Sequence, residues 1–407
     1  MGAGGRYIEQ SWPGNPAGQT RAERRPGRFK AYIPNPIAEY EPELTGAIST
    51  LLSDADGAVR RLNQLDPDRA HQIEALARQL LRQESLASSR IEGLAVSHKR
   101  ISEAGYDPRG SADKRAREVL ANIEAMEQAI QRGAGEDPIN QEAILDLHRT
   151  LMTPTAPEIA GVIRDRQNWV GGRYHTPVGA EFIPPPADEV ESLLVDLAEF
   201  MNRDDLPATL QAALAHAQFE SIHPFADGNG RVGRCLIHVI LRQRALAPHH
   251  VPPVSLLMAA DVDGYVKALT AYRGDAEADW TAYFAETTIA ASRAAEDFGE
   301  RLNGLEEEWR SKARVRRGST GEKVIDALPA HPVIDVKRAA ELAGTSEEAA
   351  RQALNTLQER GVIKQVTKRN WGRVWEAKGL WNLLNRYEEG LATPSDDRFP
   401  RRAPPTG

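Results

Sequence analysis

The stretch HPFADGNGRVGR, which runs from His223 to Arg234, limits the fold of this chain more than any other feature. Apolar residues recur at three- and four-residue intervals on both sides of it, at Leu210, Leu214 and Ala217 and then at Val232, Cys235, Leu236, Val239 and Ile240. That spacing is typical of amphipathic helices. Because the residue before a proline avoids the α-helical region, Pro224 should end the first helix at His223. The sequence therefore predicts two amphipathic helices joined by a short loop.

Two arginines stand at the start of the second helix, where positive charge opposes the helix dipole. Arg231 and Arg234 lie in its predicted first turn, and such a placement costs about 0.3–1 kcal/mol per exposed group. Gly228 and Gly230 allow a tight turn that leaves backbone amides free at the helix start, and such a terminus binds anions. Guanidinium groups match phosphate oxygens, so a bound polyphosphate would explain both arginines. The sequence contains no G-x-x-x-x-G-K-[ST] motif, so this loop is the one predicted phosphate cradle.

The remaining polar residues of the loop suggest a metal and a base. Asp227 would repel the phosphates unless a divalent cation lay between them, and Mg²⁺ is the usual bridge. An imidazole titrates near neutrality, so His223 at the rim of the loop can accept a proton from an incoming hydroxyl. Phe225 is expected to anchor the loop in the core. Together these residues predict the transfer of a nucleotidyl or phosphoryl group to a hydroxyl.

Composition excludes several other classes of protein. The 407 residues carry a formal net charge of −7, which argues against a protein held on nucleic acid by bulk charge. Cys235 is the single cysteine, so neither an internal disulfide nor a cysteine-based zinc site can form. No apolar run approaches the roughly 18 residues of a membrane span, and the N-terminus lacks the apolar core of a signal peptide. We therefore expect two or three domains in a cytoplasmic protein with no membrane contact.

Two further regions have clear patterns. Arg164–Val170 and Glu181–Ile183 predict two short strands around a connection that contains glycine and proline, and hence a hairpin. Toward the C-terminus, EKVIDALP, VKRAAELAG and TSEEAARQALNTLQERGVI predict three helices, the third with Thr345 or Ser346 as its N-cap. KQVTKRNWGRVWEA then alternates like a strand, a turn and a strand. Three helices followed by a hairpin are typical of a winged helix-turn-helix domain.

The predicted wing is basic. Its charged residues alternate with Trp371 and Trp375, and they are Lys364, Lys368, Arg369 and Arg373. A basic wing beside a helix-turn-helix suggests contacts with DNA phosphates. However, the third helix begins with Glu347 and Glu348, and winged helices also serve as dimer or substrate-docking modules. DNA binding, homodimer formation and protein docking therefore all stay open for this domain.

The loop also carries a resemblance to a known family. HPFADGNGRVGR matches in full the HPFx(D/E)GNGRxxR signature of Fic-domain proteins, whose characteristic activity is the transfer of AMP from ATP to a protein hydroxyl. The resemblance extends to AHAQFESIHPF, to LHRTLM, to GVIRDRQNWVGG and to FIPPP, and it covers roughly residues 31–309. It implies a mainly α fold, namely a Fic helical bundle with a β-hairpin flap, to which the small C-terminal winged helix-turn-helix domain is added.

The resemblance implies roles for the residues of the loop. His223 would be the general base, Asp227 would carry Mg²⁺, and ATP would be the substrate. The phosphates would be held by Gly228, Asn229, Gly230, Arg231 and Arg234. The acceptor would be a Ser, Thr or Tyr hydroxyl of a protein partner, or of the chain itself. The hairpin would be the flap, which holds an extended target segment by backbone pairing. Its predicted docking residues are Arg164, Asn168, Trp169, Val170, Phe182 and Ile183.

A second misplaced charge lies far upstream. Apolar periodicity predicts a helix that ends near SLASSRIEGL, with Gly93 at its C′ position. Glu92 is then an acid at a helix C-terminus, and pairing with Arg234 would relieve both unfavourable charges while blocking that arginine. Ser88, Glu92 and Gly93 resemble the (S/T)xxxE(G/N) inhibitory motif of Fic proteins, which implies autoinhibition in cis. In some members of the family the equivalent glutamate helps to remove AMP, so reversal is a further expected activity.

The pattern along the chain predicts six segments. They are a mobile tail (1–30), a helical region with the inhibitory helix (31–130), the Fic catalytic core (131–310), a linker (311–320), the winged-helix domain (321–381) and a helix end with a tail (382–407). Two rival functions remain, a DNA-binding regulator that uses the Fic site as a nucleotide sensor and an enzyme that transfers phosphate instead of AMP. An intact His223 favours an enzyme, because sensing alone needs no base.

Overall fold

The fold is described by a computed structural model over residues 4–64, 70–105, 114–173, 175–274, 276–366 and 373–392. These residues are mainly helical, as predicted, and none of their helices is long and apolar enough to cross a membrane. The chain forms two compact units, each assembled from three stretches of sequence. The first comprises Met1–Gly57, Ala121–Leu246 and Asp261–Thr287, and the second comprises Ala58–Leu120, Ala247–Ala260 and Thr288–Gly407. Apart from the N-terminal tail and the linker, which are treated below, the linear domain limits predicted above stay predictions.

The elements follow one another in this order along the described residues. The helices are α1 (Arg21–Arg24), α2 (Gly46–Leu62), α3 (Ala70–Ile91), α4 (His98–Gly105), α5 (Lys114–Gly133), α6 (Gln141–Met152), α7 (Ala187–Met201), α8 (Ala208–Ile222), α9 (Asn229–Gln243), α10 (Val254–Ala260), α11 (Val262–Arg273), α12 (Glu277–Ala313), α13 (Thr320–Ala327), α14 (Val336–Ala343), α15 (Glu347–Glu359) and α16 (Leu380–Ala392). The strands are β1 (Gly5–Trp12), β2 (Gly27–Pro34), β3 (Val333–Asp335), β4 (Ile363–Gln365) and β5 (Val374–Ala377).

Helix α8 is the central element of the first unit. All 15 of its residues are buried, because α7, α9, α11 and β2 pack around it. Two of its polar side chains have partners inside the unit: Gln211 Nε2 donates to the carbonyls of Phe200 and Met201, and His216 Nε2 lies 2.9 Å from the Tyr265 hydroxyl. The prediction of an amphipathic α8 is therefore wrong, since a helix enclosed on all sides has no face left for solvent.

The N-terminal residues form a hairpin where a mobile tail was expected. β1 and β2 pair in antiparallel fashion from Gly5 opposite Pro34 to Trp12 opposite Gly27. Between them, the short helix α1 has a capping box in which Thr20 and Glu23 cap each other's backbone. The tail predicted over residues 1–30 is thus wrong for residues 5–30. Glycine, proline and arginine dominate the composition there and obscured β2, whose last four residues are all buried.

The predicted flap hairpin is less regular than two strands. Val170 and Phe182 form an isolated antiparallel bridge, and Arg173 and Thr176 form another. The Val170 N–H donates to the Phe182 carbonyl at 2.8 Å. The strands predicted over Arg164–Val170 and Glu181–Ile183 are therefore wrong, although the two segments do pair at one point. Glycines with positive φ interrupt the connection, since φ is 71° at Gly171 and 84° at Gly179.

The C-terminal elements agree with the prediction of three helices and two strands, and they add one strand. α13, α14 and α15 precede β4 and β5, and Ser346 caps α15 by accepting a hydrogen bond from the Ala349 N–H. The unpredicted strand β3 joins a sheet of order β3-β5-β4. The winged-helix assignment itself stays a prediction. The linker expected over 311–320 is shortened, because α12 continues to Ala313 and its Trp309 is buried, with Nε1 donating to the Lys378 carbonyl.

Candidate functional site

Two left-handed residues shape the loop between α8 and α9. His223 ends α8 with φ of 50° and ψ of 61°, and its N–H donates to the Phe219 carbonyl at 2.8 Å. Gly228 is the N-cap of α9 with φ of 82°. The helix thus ends before Pro224 as predicted, although His223 adopts the left-handed region and not an extended one. The turn brings the imidazole and the N-terminus of α9 onto one short loop.

The side chain of Asn229 closes this loop. Its Oδ1 accepts the Phe225 N–H at 2.9 Å, and its Nδ2 donates to the Phe225 carbonyl at 2.8 Å. The Asp227 carboxylate accepts the Gly228 N–H at 2.6 Å. The buried Asn229 amide is therefore engaged with the loop backbone, and any phosphate contact of Asn229 is left to its main-chain N–H.

Phe225 anchors the loop in the core, as predicted, and its neighbour is a histidine that the sequence reasoning missed. The fully buried Phe225 ring stacks on His148 with 3.7 Å between centroids and 2° between planes. His148 Nε2 donates to the Asp227 carbonyl at 3.0 Å, and its Nδ1 accepts the Gly161 N–H at 3.0 Å. Burial lowers the pKa of His148 to about 4, so the ring is neutral near pH 7. The sequence did contain one sign of this role, since His148 lies on the apolar face of the segment LHRTLM.

The imidazole of His223 is neutral near pH 7. Burial lowers its pKa to about 3, and the positive charges of Arg273 and Arg164 act in the same direction. Its Nδ1 lies 3.9 Å from Oε2 of Glu220, one turn earlier on α8. A neutral imidazole is the form that can take a proton from a hydroxyl.

Arg164 and Asn168 fasten the base of the flap to the loop. The buried Arg164 Nε donates to the His223 carbonyl at 2.8 Å, and its Nη2 donates to the Pro185 carbonyl at 2.6 Å. Burial lowers the pKa of Arg164 to about 10, which leaves the guanidinium charged near pH 7. Asn168 Nδ2 donates to the Phe225 carbonyl at 3.2 Å. These two residues therefore hold the flap in place, and their side chains face the loop.

The other predicted flap residues pack against the N-terminal hairpin or stay accessible. Trp169 meets Trp12 edge-on with 5.8 Å between ring centroids, and Ile183 is buried against Phe29 and Ala31 of β2. The Tyr32 N–H donates to the Ile183 carbonyl at 2.9 Å, so β2 borders the flap directly. The Phe182 ring lies 3.6 Å from the Arg273 guanidinium carbon, and Val170 is 40% exposed.

The two arginines of α9 are buried beside its N-terminus. Arg231 is the third residue of the helix, and its Nη2 lies 3.7 Å from Asp227 Oδ1. Arg234 lies in the second turn and not in the first as predicted, because α9 begins at Asn229. Buried guanidinium groups next to free helical amides form a strongly positive environment, which suits a phosphate group.

Asp227 suits a magnesium ion that is held partly by its substrate. The Asp227 side chain is 69% exposed, and within the described ranges no group of three His, Cys, Asp or Glu residues could hold a metal. Mg²⁺ commonly binds proteins through one or two carboxylates together with substrate phosphates. The residues present therefore fit Mg²⁺ delivered with a nucleotide.

The chain matches two family models in this region. The Fic/DOC family model matches residues 138–241, and the Fic/DOC family N-terminal model matches residues 49–131. The chain therefore contains a Fic domain.

Named relatives and one solved structure agree with this assignment. The protein adenylyltransferase fic-1 of Caenorhabditis elegans is 34% identical over 143 residues, which is 34% of this chain and 25% of that protein. The protein adenylyltransferase Fic of Drosophila erecta is 34% identical over 113 residues, 27% of this chain and 21% of that protein. The match thus spans about a quarter of these curated relatives. A crystal structure of a Fic family protein from Desulfovibrio desulfuricans shares the fold, with a TM-score of 0.52 and 22% identity, covering 84% of this chain and 99% of that one.

The predicted inhibitory motif of this Fic-domain protein lies at the end of α3. The helix ends at Ile91, and the Leu94 N–H donates to the Ser89 carbonyl while the Gly93 N–H donates to the Arg90 carbonyl, both at 2.9 Å. With φ of 78° at Gly93, these contacts form a Schellman motif, which confirms Gly93 as the C′ residue. Glu92 follows the last turn directly as the C-cap. Ser88 is buried inside α3.

The residues predicted to contact DNA are only partly described. Lys368 and Arg369 lie outside the described residues, together with Trp371. Lys364 on β4 pairs with the buried Glu376 of β5, with 2.6 Å between Nζ and Oε1. The charge of Lys364 is therefore balanced by a carboxylate of its own sheet.

Proposed function

We propose that this Fic-domain protein is a protein adenylyltransferase, which transfers AMP from ATP to the hydroxyl of a Ser, Thr or Tyr side chain. One observation carries the proposal: the neutral imidazole of His223 lies on the loop that leads into α9, and the buried guanidinium of Arg231 lies in the first turn of that helix. The named adenylyltransferases that match the chain add support.

In the proposed reaction, His223 takes the proton of the acceptor hydroxyl as its oxygen attacks the α-phosphorus of ATP. The new bond joins that oxygen to phosphorus, the bond to the β-phosphate oxygen breaks, and pyrophosphate leaves. The amides at the start of α9, together with Arg231 and Arg234, would bind the phosphate oxygens and stabilise the charge of the leaving group. Asp227 would hold Mg²⁺, which supplies neutralising charge to the phosphates when it is bound.

The flap supports the choice of a protein acceptor. Arg164 and Asn168 fix its base to the carbonyls of His223 and Phe225, so a chain segment laid along the flap would be held at a set distance from the imidazole. Val170, which is 40% exposed, offers a place for such a segment to pair.

The proposal includes inhibition in cis by the motif at the end of α3. Its support is the match of Ser88, Glu92 and Gly93 to the family motif, together with the Schellman geometry that places Glu92 at the helix terminus. An acid at that position is unfavourable for the helix dipole and would gain from a cation such as Arg234. We therefore expect Glu92 to restrain the transfer of AMP, and the same residue is the candidate for a role in its removal.

The decisive experiment incubates the wild type, Glu92→Gly and His223→Ala with ATP labelled at the α-phosphate, in the presence of a cell lysate and Mg²⁺. We expect the label to enter protein with Glu92→Gly, weakly with the wild type and not with His223→Ala. A parallel series with γ-labelled ATP separates phosphate transfer from AMP transfer. Incorporation of the γ label alone, or an active His223→Ala variant, would overturn the proposal.

The alternative of a DNA-binding regulator has weaker support. Of the predicted contact residues, Lys364 and Arg373 lie in the described part of the chain, and Lys364 is already paired with Glu376. A salt-sensitive mobility shift of duplex DNA by the full chain is the test of that alternative, and the absence of a shift at low salt would exclude it.

A further inference from the structure

A carboxylate lies beside the proposed base on the same face of α8. Glu220 Oε2 is 3.9 Å from His223 Nδ1, and the two side chains are only 10% and 15% exposed. Gly233 on α9 faces them, and a Cβ at that position would come within 2.8 Å of Glu220 Oε1. The glycine therefore leaves room for a carboxylate close to the imidazole, at a point where a larger residue would displace it.

Two cations lie near this pair and bind its backbone, and the charge of Arg273 also interacts with the Glu220 carboxylate. Arg273 donates from Nη2 to the Glu220 carbonyl and from Nε to the Ser221 hydroxyl, while Arg164 donates to the His223 carbonyl. Burial and the charges of Arg273 and Arg164 lower the pKa of the imidazole, whereas the Glu220 backbone and the charge of Asp227 raise it. Glu220 is the carboxylate nearest to Nδ1 among the described contacts of His223.

We propose that Glu220 is a positioning residue for His223, an inference that rests on the proposed transfer of AMP. When Nε2 takes the proton of the acceptor hydroxyl, Nδ1 keeps its own proton and the ring becomes an imidazolium. The negative charge of the Glu220 carboxylate, 3.9 Å from Nδ1, favours the imidazolium over the neutral ring and offsets the charges of Arg273 and Arg164. The arrangement follows the general logic in which a third group orients a catalytic base.

The test compares Glu220→Gln and Glu220→Asp in the activated Glu92→Gly parent. We expect Glu220→Gln to lower kcat by about tenfold or more while the KM for Mg·ATP changes less than about twofold, because the lost charge acts in the transition state. Glu220→Asp should recover part of kcat. The matched control is Glu191→Gln, an exposed acid on α7.

Two results would overturn this inference. One is an unchanged kcat in Glu220→Gln. The other is a parallel loss of kcat, Mg·ATP affinity and melting temperature in both variants, which would indicate a structural role. If the Glu92→Gly parent transfers no AMP at all, the proposed function itself fails, and the two failures are thereby distinguished.

An independent observation concerns the last helix of the second unit. Glu388 on α16 accepts a hydrogen bond from Arg90 Nη2 and another from His98 Nε2, both at 2.7 Å. Burial acts to raise the pKa of Glu388, but the hydrogen bonds and charges of His98 and Arg90 outweigh it and hold that pKa below its ordinary value. The carboxylate is 14% exposed, so it forms a largely buried ionic contact.

This contact encloses the proposed inhibitory motif. Arg90 lies inside the motif, two residues before Glu92, and His98 begins α4 shortly after it. The Glu388 carboxylate thus binds a residue before and a residue after the turn that carries Glu92. α16 is itself anchored, since Tyr387 packs on Phe298 with 4.8 Å between ring centroids and the helix also contacts α10.

We infer that α16 acts as a clasp, that is, it holds the inhibitory segment at the end of α3 in place through Glu388. This inference rests on the proposed inhibition by Glu92. Loosening of the Glu388 contact frees the end of α3 and raises the transfer of AMP. A signal received by the C-terminal module, whose strand β5 directly precedes α16, would reach the motif by this route.

The test measures α-labelled AMP transfer by Glu388→Gln, Glu92→Gly and the double variant, with Glu359→Gln on α15 as the control for an exposed acid. We expect Glu388→Gln to raise transfer several-fold over the wild type and the double variant to match Glu92→Gly. A second variant, Arg90→Ala, should act in the same direction. Wild-type activity in Glu388→Gln and Arg90→Ala, or gains that multiply in the double variant, would overturn the clasp. An inactive Glu92→Gly would count against the proposed function instead.

Discussion

Gly93 and Gly228 have similar backbone angles but different surroundings. Their φ values are 78° and 82°, in the left-handed region that residues with a Cβ rarely adopt. Nothing lies within 4 Å of a Cβ built at Gly93, whereas a Cβ at Gly228 would come 3.1 Å from Met152 Sδ and 3.2 Å from Leu151 Cδ2. Substitutions at these two glycines therefore distinguish the loss of stability caused by backbone strain from the loss caused by steric crowding.

We expect Gly93→Ala to lower the free energy of unfolding by about 1 kcal/mol, since only backbone strain is added. Gly228→Ala should cost more, because α6 must also give way, and it should weaken Mg·ATP binding through the start of α9. Urea unfolding and calorimetric titration of both variants measure the two effects. Equal losses at the two sites would contradict this reading of the loop.

Residues of the motif could be assigned from sequence, and residues that support it could not. The roles proposed for His223, Asp227 and Arg231 follow from chemistry that twelve consecutive residues display. His148 escaped notice because its partners, Gly161 and the Asp227 carbonyl, are distant in sequence and bind through the backbone. A backbone partner leaves no trace in residue type, so only the fold reveals it.

Among the elements, the N-terminal hairpin has the clearest link to the site. β2 donates a backbone hydrogen bond to the carbonyl of Ile183, and Trp12 of β1 packs on Trp169 of the flap. These contacts join residues about 150 positions apart, so periodicity within either segment could not show them. Burial alternates only in the first half of β2, and its last four residues are all buried, so periodicity gave little sign of a strand and composition pointed to a tail.

We expect Trp12→Ala to loosen the flap without affecting the binding of the nucleotide. An aromatic pair contributes about 0.5–1.5 kcal/mol, so the KM for a protein acceptor should rise by roughly twofold to tenfold. Mg·ATP affinity should stay unchanged. The matched control is Glu9→Ala on the same strand, which removes only the exposed ion pair with Arg28. A lower Mg·ATP affinity in Trp12→Ala, or an equal effect of Glu9→Ala, would argue against this role of the hairpin.

On the scale of the whole molecule, buried neutral histidines should make the fold sensitive to acid. Burial is the main cause that lowers the pKa of His148 to about 4 and that of His216 to about 3. Near pH 5 both rings are mostly neutral in the folded state and mostly protonated in the unfolded state. At that pH the unfolded state therefore binds more protons than the folded state. The stability they confer is complete above about pH 6.5 and is lost progressively as the pH falls toward 4.

We expect each such ring to add about 1.4 kcal/mol per pH unit to the slope of unfolding free energy between about pH 6.5 and pH 4. His148→Gln should therefore be less stable near pH 7 and show a shallower slope. Urea unfolding at several pH values in this range measures it. The control is His249→Gln, which makes the same substitution at an exposed histidine. An unchanged slope in His148→Gln would show that the ring is already charged in the fold.

The helical class of the molecule could be predicted because apolar periodicity is a local property. The assembly of each unit could not, because it depends on which distant stretches pack together. The first unit combines Met1–Gly57, Ala121–Leu246 and Asp261–Thr287, and no boundary in composition marks these stretches. The all-round burial of α8 is another result of this assembly and not of its own sequence pattern.

The discontinuous make-up of the first unit also bears on protein engineering. A fragment trimmed to residues 138–241 would retain His223 and both arginines of α9, yet it would discard the hairpin and the guanidinium of Arg273 that touch Ile183 and Phe182. A fragment designed to fold on its own must therefore also include the other two stretches of the first unit, Met1–Gly57 and Asp261–Thr287, joined by designed linkers.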